Sequence, residues 1–260
     1  MGKPSIMEKM VPSFFQKRLD PSQRYGLRLT LLTLAVAVVG VPFGFLVTLV
    51  VSKNESLIEI DTLAANYLHE FVRESRMLVS VLRLISFFGW PPWFWVLIGG
   101  IALHLWLRNR RRLVFFLIST TILGSLIDTV VKNVVNRARP SLEDPVATAI
   151  GKSFPSGHTM SSTIAYGAIL LIFLPFLSRR AKPWAIAGAV ALVSAIGFSR
   201  LALGVHYISD VLGAMVLGVG WLVASTAAFE IWREERGRRH TEPLKEGVEP
   251  EVVRAIRTSR

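Results

Sequence analysis

Residues 29–51 read LTLLTLAVAVVGVPFGFLVTLVV, 23 positions without one charged side chain. A helix needs ~20 such residues to cross a hydrocarbon core of ~30 Å. Basic residues precede the stretch, as in a signal peptide, but it is too long for a signal core. No small-residue cleavage site follows, because the chain continues Ser52-Lys53-Asn54-Glu55. The segment therefore reads as an uncleaved first membrane span.

Five further apolar blocks follow, at roughly Trp90–Leu107, Leu113–Val131, Met160–Leu177, Trp184–Leu203 and Val211–Phe229. They account for much of the 52% hydrophobic content of the 260 residues, against 18% charged. A soluble core would scatter its apolar residues with a shorter period. The expected fold is an all-α, six-transmembrane helical bundle. Pro91-Pro92 opens the second span, where missing amide donors cost least. Gly40, Pro42 and Gly44 are expected to bend the first span. Between the first two spans, Ile60, Leu63, Tyr67, Leu68, Phe71 and Val72 recur at helical spacing among Asp61, Glu70 and Arg73. The segment Ser52–Gly89 is thus expected to hold an extracytoplasmic amphipathic helix, either lying on the membrane or packed on the bundle.

The formal net charge of +12 is compatible with nucleic acid or an anionic membrane. With apolar blocks this long, membrane lipids are the expected partners and nucleic acid is not. Of 30 Lys and Arg residues, 21 fall in residues 1–28, the links 108–112 and 178–183, and the chain after Phe229. In a six-span layout these all lie on one side, so both termini are expected in the cytoplasm. The organisation is a basic cytoplasmic N-terminus (1–28), one six-span domain (29–230) and a charged cytoplasmic tail (231–260). That tail is expected to be mobile, with a short helix near Glu251–Ile256. Cysteine is absent, which excludes disulfides and thiol chemistry.

Three clusters fall on the opposite, outer side. Lys132-Asn-Val-Val-Asn-Arg-Ala-Arg139-Pro140 leaves the third span, and Phe154-Pro155-Ser156-Gly157-His158 enters the fourth. Ser199-Arg200, five residues, His206, three residues and Asp210 lead into the sixth. Lys132, Arg139 and Arg200 are cations at one mouth of an apolar bundle, and cations there need an anion. Phosphate fits, since guanidinium groups grip its oxygens in pairs. Pro155-Ser156-Gly157-His158 precedes a helix whose open amides form an anion site; Gly157 lets the backbone come close and the Ser156 hydroxyl adds a donor. His206 and Asp210, four apart, are expected on one helical face, where the carboxylate fixes the tautomer of an imidazole nucleophile. His158 is then placed to protonate the leaving oxygen and later to activate water. A divalent ion on His158, His206 and Asp210 would be repelled by the three cations, so no metal and no cofactor is expected.

Together the clusters resemble the three-part signature of the type 2 phosphatidic acid phosphatase family: Lys-x6-Arg-Pro, Pro-Ser-Gly-His and Ser-Arg-x5-His-x3-Asp. All three match in order, from Lys132 to Asp210, and the span layout extends the likeness over roughly residues 25–230. The resemblance implies a metal-independent phosphomonoesterase or pyrophosphatase acting on a lipid phosphate. By motif position it implies His206 as nucleophile, Asp210 as its partner and His158 as acid and base. It implies phosphate binding by Lys132, Arg139, Ser156, Gly157 and Arg200. Candidate substrates are undecaprenyl pyrophosphate, phosphatidic acid and phosphatidylglycerol phosphate, in the plasma membrane with the site on its outer face. A lipid-to-lipid phosphotransferase and a non-catalytic lipid transporter are the alternatives.

The remaining polar residues have quieter readings. Asp128, one helical turn before Lys132, is expected to position it. Arg137 either touches a lipid head group or is one more solvated charge. His69, His104 and His240 are expected to be satisfied or solvated.

Overall fold

The computed structural model describes residues 26–239 and 241–251. Most of the basic N-terminus, His240 and nearly all of the helix expected near Glu251–Ile256 lie outside them. The described residues form helices and no strands: α1 (Gly26–Val51), α2 (Glu55–Arg73), α3 (Arg76–Phe87), α4 (Pro91–Leu107), α5 (Arg111–Val135), α6 (Gly157–Phe173), α7 (Ala181–Ala202), α8 (Ile208–Glu235) and α9 (Pro243–Glu246). A 3-10 turn, Leu174–Phe176, ends α6.

Helices α5 to α8 are each long and apolar enough to cross a membrane. Two bent pairs bring the possible number of spans to six: Val39–Val51 turns into α2 through 88°, and α3 turns into α4 through 41°. Trp95, Phe115, Val130, Trp184 and Val190 are more than half exposed. Such residues would be a liability in water and are at home against lipid. The chain is a multi-pass membrane protein.

The central helix is α6. It packs against α5, α7 and α8, while α1 lies along α8. Small residues allow the close α6–α8 approach; a Cβ added at Gly218 would stand 2.9 Å from the Cβ of Thr163. The core joins Phe94, Ile98, Leu113, Phe116, Leu117, Ala168, Ile172 and Phe229 from four helices. As expected, Pro91 opens α4, with Trp90 at its N-cap.

The segment between α1 and α4 differs from the expected single helix. It is two helices, because Ser75 caps a new start by accepting from the Leu78 amide (3.3 Å). The face of α2 turned to the bundle carries Asp61, Ala65, His69 and Val72, all buried. Ile60, Leu63, Tyr67 and Phe71 stay exposed. An apolar stripe marks a core only when the surroundings are water. Here the polar residues find partners in the bundle and the apolar stripe is left on the outside.

The tail also differs from expectation. Residues 241–249 fold back onto the bundle end opposite the motif clusters. Val248 is fully buried among core residues and its amide donates to the Leu171 carbonyl (3.2 Å). Arg233, also fully buried, donates to Glu230 (3.2 Å), both oxygens of Glu251 (2.7 and 3.0 Å) and the Val248 carbonyl. These partners offset the cost of burying a guanidinium.

Candidate active site

Helices α5 to α8 each bring one end to the same mouth of the bundle. Lys132 lies in the last turn of α5, Gly157 and His158 open α6, and Arg200 lies in the last turn of α7. His206 sits in the link before α8, and the loop 136–156 carries Arg137, Arg139 and Ser153.

His206 is 2% exposed. Its Nε2 faces Arg139 Nη1 at 3.0 Å. A guanidinium can only donate, so Nε2 is the acceptor and the ring proton resides on Nδ1. Nδ1 faces Asp210 Oδ2 at 3.4 Å and Ser153 Oγ at 3.5 Å. Burial pulls the His206 pKa down to about 4, against the upward pull of Asp210, with Arg139 and Arg200 lowering it further. The ring is therefore neutral near pH 7, with its Nε2 lone pair held by Arg139, which must exchange that bond for a phosphate oxygen before Nε2 can attack. That arrangement suits attack on an anionic phosphoryl group.

Asp210 meets His206 by a different route from the one expected. His206 precedes the helix, and Asp210 is the third residue of α8. Its Oδ2 folds back to accept the Tyr207 amide (2.8 Å) and the Ser153 hydroxyl (2.5 Å), and in doing so reaches the imidazole. The four-residue spacing works through helix capping, not through a shared face.

The cations divide into committed and open groups. Arg139 donates to the carbonyls of Gly151, Val205, Ile150 and Lys152 at 2.8–3.3 Å. These bonds fix the loop around it. Lys132 spends its three donors on both oxygens of Asp128 (2.6 and 2.7 Å) and the Pro155 carbonyl (2.7 Å). It must exchange one of these to touch a ligand. Arg200 is 9% exposed, and its Nη1 donates to Ser86 Oγ (2.6 Å). Its Nε is buried with no partner among the described residues. An orphaned buried donor carries a desolvation cost that an anion would offset.

The start of α6 is similarly open. Ser156 makes no side-chain cap to the first turn, and its Oγ accepts from Thr159 (3.0 Å), leaving its own hydrogen to donate. A Cβ at Gly157 would meet Lys132 Nζ at 3.3 Å and Asp128 Oδ2 at 3.4 Å, so glycine lets the ammonium lie against the helix start. His158 is half-buried, within electrostatic reach of Arg200, His206, Arg139 and Lys132. All eight residues expected at the site thus converge, and Asp128 pairs with Lys132 as expected.

Arg137 is not a solvated charge. It bridges Asp61 (2.7 Å) and Asp210 (2.8 Å), donates to Ser209 Oγ (2.6 Å) and lies 4.3 Å over the Tyr207 ring. Burial works against its charge, but Asp210 and Asp61 more than offset that, and its pKa is raised. His69 is buried, its Nε2 meeting the Glu143 carbonyl at 2.8 Å, and Arg83 donates to the Val146 carbonyl. Both tie the loop to α2 and α3. Ser86 and Ser153 touch the motif residues Arg200 and Asp210, while Asp61 and Ser209 hold Arg137, which in turn holds Asp210; none of the four is a fixed position of a motif.

Residues 113–234 match the PAP2 superfamily. Over 156 residues the chain is 32% identical to a decaprenylphosphoryl-5-phosphoribose phosphatase of Mycobacterium tuberculosis, covering 57% of this chain and 80% of that protein. The chain belongs to the PAP2 superfamily. Another PAP2 relative, the phosphatidylglycerophosphatase B of Bacillus subtilis, is 35% identical over 128 residues; the match takes in 48% of this chain and 61% of that protein. The PAP2 fold is also that of a transmembrane phosphatidylglycerolphosphate phosphatase from Bacillus subtilis. Its crystal structure superposes with a TM-score of 0.69 at 22% identity, over 79% of this chain and 98% of that one.

Proposed function

We propose that this protein is an integral membrane lipid phosphatase that works through a phosphohistidine on His206, without a metal. The observation that carries this reading is the neutral, buried imidazole whose Nε2 faces Arg139 while Nδ1 faces Asp210. Nε2 attacks phosphorus and the bond to the lipid's leaving oxygen breaks, with His158 supplying that oxygen's proton. Arg139, Arg200, Lys132, the Ser156 hydroxyl and the amides from Gly157 hold the phosphoryl oxygens as their charge spreads. Water then attacks the phosphohistidine, His158 takes its proton, the nitrogen–phosphorus bond breaks and phosphate leaves. Asp210 steadies the positive charge on the ring throughout.

The substrate is a phosphomonoester or pyrophosphate of a lipid, with undecaprenyl pyrophosphate, phosphatidic acid and phosphatidylglycerol phosphate as candidates. Support comes from the lipid phosphates named in the relatives and from a site at the mouth of a membrane bundle. The basic links and termini favour a plasma-membrane protein with both ends in the cytoplasm and the site outside. Residues 29–230 then form the catalytic unit between two cytoplasmic ends. The test is phosphate release from these three lipids by detergent-purified protein, with EDTA present and with His206→Ala as control. Release that survives EDTA and disappears in the variant is expected. Release by the variant, or loss with EDTA alone, would overturn the mechanism, and labelled phosphate appearing on a second lipid would turn hydrolysis into transfer.

A further inference from the structure

The catalytic pair proposed above is held from outside the family motifs. Asp61, on α2, is 1% exposed. Its Oδ1 accepts the Ser209 amide (3.0 Å), and its Oδ2 accepts the Ser209 hydroxyl (2.5 Å) and Arg137 Nη2 (2.7 Å). The Ser209 amide belongs to the first turn of α8 and has no partner within its own helix. Asp61 thus caps, from 148 residues away, the helix that presents Asp210. The other arm of Arg137 holds Asp210 Oδ1 (2.8 Å), whose Oδ2 faces His206. One guanidinium is shared by two buried carboxylates, in the order Asp61, Arg137, Asp210, His206.

We propose that Asp61 is a positioning residue for phosphoryl transfer, acting on His206 through Arg137 and Asp210. With Asp61 charged, Arg137 divides its charge between two carboxylates. Asp210 then retains enough negative charge to stabilise the positive charge that builds on the ring as Nε2 bonds to phosphorus. A neutral residue at 61 turns the whole guanidinium onto Asp210 and frees the first turn of α8. The effect falls on the chemical step. Asp61 makes no hydrogen bond to Arg139, Arg200, Lys132 or the start of α6, so lipid phosphate binds as before.

This inference rests on the proposed roles of His206 and Asp210, and its test keeps the two apart. Asp61→Asn, Asp61→Glu, Asp210→Asn, His206→Ala and the exposed control Glu70→Gln are compared in detergent. Steady-state kcat and KM, the single-turnover rate of phosphohistidine formation and thermal midpoints are measured. Asp61→Asn is expected to lower kcat and the phosphohistidine rate by about 10- to 100-fold, by analogy with the loss of a group that orients a metal-binding side chain. KM is expected within about twofold of wild type, with Glu70→Gln unchanged and Asp61→Glu recovering part of the rate through its retained charge. A wild-type kcat in Asp61→Asn, or a loss that only follows the folded fraction and is not recovered by Asp61→Glu, would overturn the inference. Were Asp61→Asn not to fold, Arg137→Lys takes its place, because one nitrogen cannot stand at both the Nη1 and the Nη2 positions that hold Asp210 and Asp61; wild-type kcat in that variant would likewise overturn it. If Asp210→Asn and His206→Ala stay active, the catalytic reading itself fails.

Discussion

Replacing Asp210 by Asn probes the proposed mechanism at its electrostatic centre. The side chain keeps its shape and loses its charge. Its Oδ2 lies 3.4 Å from His206 Nδ1. At that separation, with an effective dielectric of about 20, a full charge pair is worth ~5 kcal/mol. Only part of a charge has formed on the ring in the transition state, so ~3–4 kcal/mol is at stake, about 10²- to 10³-fold in rate. The amide also fits its surroundings poorly. If its oxygen stays on the side of Ser153, Tyr207 and His206, its NH2 group points at Arg137, donor against donor. Flipping it relieves Arg137 and sets two donors against the Tyr207 amide and the His206 ring. Steady-state phosphate release and rapid-quench phosphohistidine formation should both fall by about 10²- to 10³-fold, with KM nearly unchanged. A loss of less than about tenfold would refute the role given to Asp210.

Three other outcomes follow from the geometry. Arg200→Ala removes the guanidinium whose buried Nε has no partner among the described residues, so inhibition by inorganic phosphate should weaken by about 10- to 100-fold, the value of one charged hydrogen bond; an unchanged inhibition constant would separate Arg200 from the phosphate site. The depressed pKa of His206 means that the unfolded chain takes up a proton between its ordinary value of 6.5 and about 4 while the folded protein does not, so this group's contribution to stability is complete above pH 6.5 and declines through that window; histidine-labelled NMR should find the His206 ring neutral at pH 5.5. Val248→Asp would bury a carboxylate in a fully enclosed apolar position, so the protein should lose ~2–4 kcal/mol of stability by thermal unfolding, with activity at low temperature retained because the site is at the other end of the bundle.

Local spacing carried the motif residues into view. Asp128 and Lys132 are one turn apart and do form an ion pair, and Ser156-Gly157-His158 does open a helix. What spacing could not show are partners contributed by distant segments. Asp61 meets Ser209 across 148 residues and Ser86 meets Arg200 across 114, and neither pairing has a local signal. Arg137 stayed ambiguous for the same reason, since its two carboxylates lie on α2 and α8. The apolar stripe of α2 was legible, but which side it faced depends on the solvent around it. The tail looked mobile from its charge, yet Val248 and the carboxylates around Arg233 give residues 241–251 a place to fold.

The most direct test of the mechanism is to trap the intermediate. The purified protein is mixed with a lipid phosphate, quenched in alkali within the first turnover and digested, and its peptides are sequenced by mass spectrometry. Phosphate on His206, absent from His206→Ala and accumulating where hydrolysis is slowed in His158→Ala with a reactive leaving group, is the expected result. Turnover without phosphate on His206, or phosphate carried by His158 instead, would contradict the assignment of the nucleophile.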